Sequence, residues 1–309
     1  MANTSIILNR LQWISAKCPN LNIQYWKVDN RGWDNLVIVI NDSWIFRFPR
    51  NSKVQKRLLV EKQLLDHIKD LFRDLDVEVP RYQLLYDSAD ELPVCCFYPM
   101  IKGAPLSRKR LQALSPPSSR KAAHVLGDAL ALLHSINVSQ LQFHGLLPEQ
   151  TEDDWKSHWS DIKLKVLPLL TEREQYQVRH LFENFFEEWS VADLPKTLIH
   201  GDLSHSHILF SEEQQRITGI IDFGDAKIGD PAYDFSGLYW DYGNHFLLQV
   251  LDQYNRHTQL PYDTYELYRR VSTFYGKRQI FYDILHGLEN NSPSYVKRNL
   301  QVLRQSLLK

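Results

Sequence analysis

The sequence is poor in sulfur, with three cysteines and two methionines in 309 residues. Cys18 stands alone, and Cys95 and Cys96 are adjacent in an apolar run. An odd count with that spacing excludes a disulfide framework and a cysteine zinc site, and it fits a reducing cytoplasm. Long hydrophobic runs are missing as well. No stretch approaches the about 18 apolar residues of a membrane span. The opening MANTSIILNRLQWISAKC has no basic segment leading an apolar core, so no signal peptide is expected. Charge of one sign is not in excess either. The formal net charge is −1, which gives no basic footprint for nucleic acid. There is no internal repeat and no low-complexity tract.

What is present is ordinary globular material: 43% hydrophobic and 24% charged residues, enough for a packed core. The length predicts two domains or lobes. Aromatic residues are plentiful and belong mostly to the core. The informative stretch is residues 198–235. It reads LIHGDLSHSHILF, a short charged turn, then RITGIIDFGDAKIGDPAYDF. Two apolar, β-rich runs, 197–199 and 217–221, are each followed at once by His, Asp and Gly. Carboxylates at the ends of buried strands need a metal or a proton to move.

Asp202 follows the first run, His207 lies five positions later, and Asp222-Phe223-Gly224 ends the second. In phosphoryl transfer by kinases, a loop Asp takes the proton of the attacking hydroxyl. A residue five positions on and an Asp ahead of Phe-Gly hold magnesium. With HGD, a His five residues after the Asp, and DFG, the chain resembles the aminoglycoside phosphotransferase family. It looks most like the branch acting at the 2″ position, and somewhat like the macrolide kinases.

The resemblance implies an α+β, two-lobed, protein-kinase-like fold, with an antiparallel β lobe at 1–101 and a mostly helical lobe at 102–309. It implies Asp202 as catalytic base, with His207 and Asp222 on Mg²⁺. Magnesium prefers oxygen ligands, so His207 reaches it either directly or through water. His205, two residues too early, is expected to be loop surface. Asp234, in DPAYDF, braces the catalytic loop.

In chain order, residues 4–18 read as an amphipathic helix. Residues 23–28, 36–40 and 44–48 read as strands, with Asn41-Asp42 as a two-residue hairpin signal. The turn at 29–35 carries one glycine, Gly32, where such folds lay a loop over nucleotide phosphates. The resemblance places the phosphate-gripping cation at Arg47, with Arg50 nearby as the alternative. Residues 54–70 read as a helix, and Glu61 on it is the candidate partner of that cation. Two further strands, 79–86 and 93–100, complete a five-stranded lobe. The stretch around Tyr98, Met100 and Ile101 resembles the family's linker, which would meet a purine edge through backbone groups, so side chains do not decide between ATP and GTP.

Residues 107–114 and 118–135 read as helices, the second capped by Ser118 or Ser119, with His134 as a structural histidine. Residues 151–193 are helical and carry Glu152, Asp153, Asp154, Glu183, Glu187 and Glu188, either solvated or lining a cleft for a cationic acceptor. A helix is expected to start at Ser236, placing Tyr239, Trp240 and Asp241 within reach of an acceptor. Gly276, Gly287 and Pro293 are expected to mark breaks in the helical C-terminal region.

The implied activity is transfer from ATP or GTP to a hydroxyl of an aminoglycoside antibiotic, in the cytoplasm, with neither nucleic acid nor membrane as partner. The alternatives are another hydroxyl substrate, such as a macrolide, homoserine or a choline-like metabolite, or a non-catalytic nucleotide-binding protein on the same fold.

Overall fold

A computed structural model describes residues 4–30, 32, 34–87, 91–141, 143–191, 196–258, 260 and 264–307. Arg31 and Trp33, part of the expected phosphate loop, lie outside the described residues. The chain forms two compact units. One comprises residues 1–105 with 207–224, the other 106–206 with 225–309.

The first unit opens with α1 (Thr4–Lys17). Strands β1 (Trp26–Asp29), β2 (Asn35–Ile40) and β3 (Trp44–Pro49) follow as an antiparallel meander. Asn41 and Asp42 turn the β2–β3 hairpin with φ of 53° and 47°. The register pairs Ile40 with Trp44, so the loop holds three residues, Asn41, Asp42 and Ser43, rather than the two expected. Ser43 N donates to Ile40 O at 3.0 Å. Asn and Asp tolerate the left-handed conformation of its first two positions. Helix α2 (Ser52–Arg73) starts at Asn51, whose side chain accepts from Val54 N at 3.0 Å. Strands β4 (Gln83–Leu85) and β5 (Cys95–Pro99) close a five-stranded sheet of order β1-β2-β3-β5-β4, antiparallel throughout.

Side chains alternate across a strand. Leu36, Ile38 and Ile40 with Phe46 and Phe48 therefore fill one face and bury Leu11 and Ile14 of α1. Arg47, between the two phenylalanines, goes to the other face. The buried stripe of α2 runs Val54, Leu58, Glu61, Leu65, Ile68 and Phe72. Glu61 thus occupies a core position where Leu was to be expected.

The short strand β6 (Ala104–Pro105) leads into the second unit. There α3 (Arg108–Ala113) and α4 (Pro116–His134) begin at Ser107 and Ser115. The α4 cap is Ser115, not Ser118 or Ser119, because Pro116 and Pro117 lack N–H groups that a first turn leaves unpaired anyway. After α5 (Glu152–Asp161), widened and tightened turns over residues 162–169 lead to α6 (Glu172–Val191) and then β7 (Thr197–Ile199).

Strands β8 (Ile208–Ser211) and β9 (Arg216–Ile220) return to the first unit as a hairpin, with β6 on its edge. Strand β10 (Lys227–Gly229) pairs antiparallel with β7 in the second unit.

Helix α7 (Ala232–Tyr242) starts one turn before Ser236, because the Asp230 carboxylate accepts from Ala232 N at 2.9 Å. Then come α8 (Asn244–His257), α9 (Thr264–Arg270), α10 (Gly276–Glu289) and α11 (Pro293–Leu307). A break precedes Pro293, as expected, and Pro293 opens α11. Gly276 marks none, since residues 264–289 stay helical through it. Gly287 does not break a helix either: it lies inside α10, where a β-carbon would come 2.8 Å from Val296 of α11. Among the described residues no helix is long and apolar enough to cross a membrane.

Candidate functional site

In the first unit the β8–β9 register pairs Ile208 with Ile220. His207 and Asp222 therefore flank the open end of one hairpin, and Ile221 N donates to His207 O at 2.9 Å. The side chains meet: His207 Nε2 lies 3.6 Å from Asp222 Oδ2. Asp222 has φ 68°, a left-handed conformation that Asp adopts more readily than most residues. Phe223 beside it is buried and meets Phe72 edge-on at 6.4 Å. Together they offer one carboxylate oxygen and one imidazole nitrogen, 3.6 Å apart, to a divalent ion. No group of three His, Cys, Asp or Glu able to hold a metal occurs among the described residues.

Arg47 joins this pair to α2. Its Nη2 donates to Asp222 Oδ1 at 3.0 Å, and its Nη1 lies 3.3 Å from Glu61 Oε1. Tyr82, not anticipated, completes the cluster: it accepts from Arg47 and donates to Glu61 Oε1 at 2.7 Å. A tyrosine next to a strand reads as core in a sequence, and only its hydroxyl's position marks it. Burial alone would lower the pKa of Arg47, but Tyr82, Glu61 and Asp222 outweigh it and hold the guanidinium firmly charged. Burial lifts the pKa of Glu61, and Arg47 opposes that lift. Arg50, the alternative cation, is spent on the turn: it donates to Asn30 and, from Nε, to Gly32 O at 3.3 Å.

Replacing Arg47 with Met would strand Glu61 in the core without its partner. Loss of one member of a buried pair costs about 3–5 kcal/mol, so urea unfolding of Arg47→Met should show a deficit of that order.

The linker residues are less free than expected. Met100 N donates to Ser43 O at 2.8 Å, so its N–H is committed to the sheet. Tyr98 is buried 5.1 Å from the Tyr82 ring, and Ile101 is buried against Gly219.

In the second unit the HGD loop follows β7. Gly201 has φ 82°, and a β-carbon there would come 2.1 Å from Asp225 O, so only glycine fits. Asp202 is exposed. Its N–H points to His200 Nδ1 at 3.3 Å. Asp234 clamps the loop from α7, accepting from His200 N at 2.7 Å and from Gly201 N at 2.9 Å. His134 Nε2 adds a third contact at 3.2 Å and holds Tyr254 through Nδ1. Burial alone would raise the pKa of Asp234, but the hydrogen bond and charge of His134, with His200 and Gly201, bring it below the usual carboxylate range. Gly237 lets α7 approach, since a β-carbon would sit 2.0 Å from Leu203 O.

The acceptor-side candidates are partly occupied. Asp241 accepts from His205 N at 2.7 Å and lies 2.9 Å from His205 Nδ1. His205 is thus tied to α7 as well as half exposed. Trp240 is 40% exposed, and its carbonyl accepts from Arg108. Tyr239 packs against Gly276.

Residues 26–271 match the profile described as the phosphotransferase enzyme family, of the aminoglycoside phosphotransferase type. The chain belongs to that family and is a phosphotransferase acting on an alcohol group. An uncharacterized Bacillus subtilis protein, YcbJ, is 27% identical over 244 residues, covering 74% of each chain. Viomycin phosphotransferase of Streptomyces vinaceus is 26% identical over 157 residues, 49% of this chain and 51% of that one. Among solved structures, the GDP and kanamycin complex of an APH(2″) enzyme superposes with a TM-score of 0.85 at 26% identity, covering 97% of this chain and 98% of that one. The fold is the kinase-like one of that enzyme.

Proposed function

We propose that this phosphotransferase takes its phosphoryl group from ATP or GTP, hands it to a hydroxyl of a small molecule, and works in the cytoplasm. The observation that carries the reading is the buried Arg47–Glu61 pair reaching Asp222, with His207 beside it. Phosphoryl transfer needs positioning and charge neutralisation more than covalent help. Arg47, oriented by Glu61 and Tyr82, grips the phosphates, and the turn at Gly32 lies over them. Asp222 and His207 hold Mg²⁺, which neutralises phosphate charge when bound. Backbone groups near Tyr98 and Ile101 meet the base; Met100 does so only through its carbonyl. Asp202, on the loop clamped by Asp234, orients the acceptor hydroxyl and takes its proton.

The family likeness makes aminoglycosides the first acceptors to test, with antibiotic resistance as the role. A second reading, an acceptor such as a macrolide, homoserine or a choline-like metabolite, is favoured by how the acidic residues are used. Glu152 pairs with Lys156 at 3.0 Å, Asp154 closes the Thr151 cap of α5, Glu188 pairs with Arg269, and Asp241 holds His205. Carboxylates already engaged are poor ligands for a polycation.

Radiolabelled ATP and GTP with Mg²⁺, offered against aminoglycosides and the other alcohols, test both. Turnover on aminoglycosides supports the first reading. Turnover only on other alcohols supports the second. No magnesium-dependent turnover of either nucleotide would overturn the kinase roles.

A further inference from the structure

The second unit holds a group of donors that the proposed chemistry leaves unused. Lys227 opens β10, opposite Ile199 of β7. A β-carbon on Gly201, the residue before Asp202, would touch Lys227 Cε at 3.1 Å. The lysine ammonium lies 4.9 Å from the Tyr233 ring centre, and Arg278 Cζ lies 3.6 Å from the same centre and 5.3 Å from that of Tyr282. His158 stacks on Tyr282 at 4.1 Å, and Trp155 meets His158 at 6.2 Å. Two cations and two further ring nitrogens therefore crowd around a pair of tyrosines next to the catalytic loop.

Arg278 reaches the Tyr282 side chain with one hydrogen bond, yet the group as a whole is short of acceptors. Arg278 Nε, His158 Nε2 and Trp155 Nε1 are buried without a hydrogen-bond partner, on side chains more than nine-tenths buried. Among the described residues neither Lys227 nor Arg278 forms an ion pair with a carboxylate. Asp225 and Asp234 act on Lys227 only through their field, while burial and Arg278 push its pKa down. Burial holds His158 at a pKa of about 4, so it is neutral near pH 7. The tyrosine faces offset part of the cationic charge, but they satisfy no in-plane N–H. Donors gathered without acceptors are completed by an anion. Tyr282, which stacks on His158 and neighbours Arg278, is 39% exposed, so the rim of the group meets solvent.

We infer that Lys227 and Arg278, framed by Tyr233 and Tyr282, form an oxyanion subsite for the acceptor, and that the alcohol phosphorylated here carries a carboxylate or phosphate group. The inference rests on the proposed kinase activity and takes its second reading further, because a polycation would be repelled at this point.

Tryptophan fluorescence of the full chain titrated with inorganic phosphate tests the site without nucleotide. Saturable binding is expected, weakened about tenfold in Lys227→Met, the loss of one charge-assisted contact. It should persist in saturating Mg-ADP. Competition by Mg-ADP would assign the anion to the nucleotide and overturn the inference, as would no saturation or equal affinity in the variant. Arg278→Lys provides a second variant, and circular dichroism confirms that each is folded.

In transfer assays, hydroxy acids should outperform their neutral amides, and Lys227→Met should raise KM for the acid far more than it lowers kcat. Equal use of acid and amide by the wild-type enzyme would also overturn the inference. Nucleotide hydrolysis by the wild-type enzyme without acceptor is measured in parallel. Its absence counts against the kinase reading, whereas the phosphate titration reports on the subsite alone.

Discussion

Asp202→Asn is expected to reduce phosphoryl transfer by about 10²–10⁴-fold, the range ascribed to a positioned general base. The substitution keeps size and shape. The loop around it is fixed by contacts the change does not touch: Asp234 holds the N–H groups of His200 and Gly201, and His200 receives the N–H of residue 202. Asp202 is exposed, and exposed isosteric changes usually move stability by less than about 0.5 kcal/mol. The loss should therefore appear in kcat at saturating substrates, with nucleotide affinity and melting temperature unchanged. An Asn variant that turns over at the wild-type rate would remove Asp202 from the role of base. One that fails to bind nucleotide would mean the residue shapes the donor site instead.

The parts of this molecule that could be read in advance are those whose cause is local. Short apolar runs announce β2 and β3, the Asn41-Asp42 pair announces their hairpin, and His-Gly-Asp and Asp-Phe-Gly announce the two loops. Each rests on a few consecutive residues. What escaped depends on partners far along the chain. Tyr82 reads as one more strand aromatic until its hydroxyl is seen between Arg47 and Glu61, 35 and 21 residues away. The acidic residues of α5 and α6 look like an open negative surface, yet Glu188 is neutralised by Arg269, 81 positions later.

Asp241 shows the same blindness. Its place near the end of α7 suggested an acceptor contact, but the carboxylate faces His205, 36 residues earlier. Strand β8 went unread because its four residues follow a polar, histidine-rich loop and have no period of their own. Lys227 and Arg278 lie 51 positions apart, and neither stands out in the sequence. Their significance is that among the described residues neither forms an ion pair with a carboxylate, a property only coordinates can show.

Asp234→Asn should be the most damaging of the conservative changes to the fold. The carboxylate is fully buried and acceptor-only, and three donors converge on it: His200 N, Gly201 N and His134 Nε2. Asn presents one oxygen and one NH₂, so at least one donor would face another donor inside the protein. Removing the charge from such a network costs about 3–5 kcal/mol, which denaturant unfolding at pH 7 would register as a shifted midpoint with unchanged slope.

The pH dependence separates this from a general packing defect. The folded-state pKa of Asp234 is depressed below the ordinary carboxylate value. Its contribution is therefore complete above the unfolded pKa of about 3.9 and lost as pH falls through the lower folded value. The gap between wild type and variant should be constant from about pH 5 to 8 and narrow below pH 4. A gap that persists undiminished into acid would assign the loss to shape rather than charge. A variant as stable as wild type at pH 7 would mean that the clamp on the HGD loop is held by something other than this carboxylate.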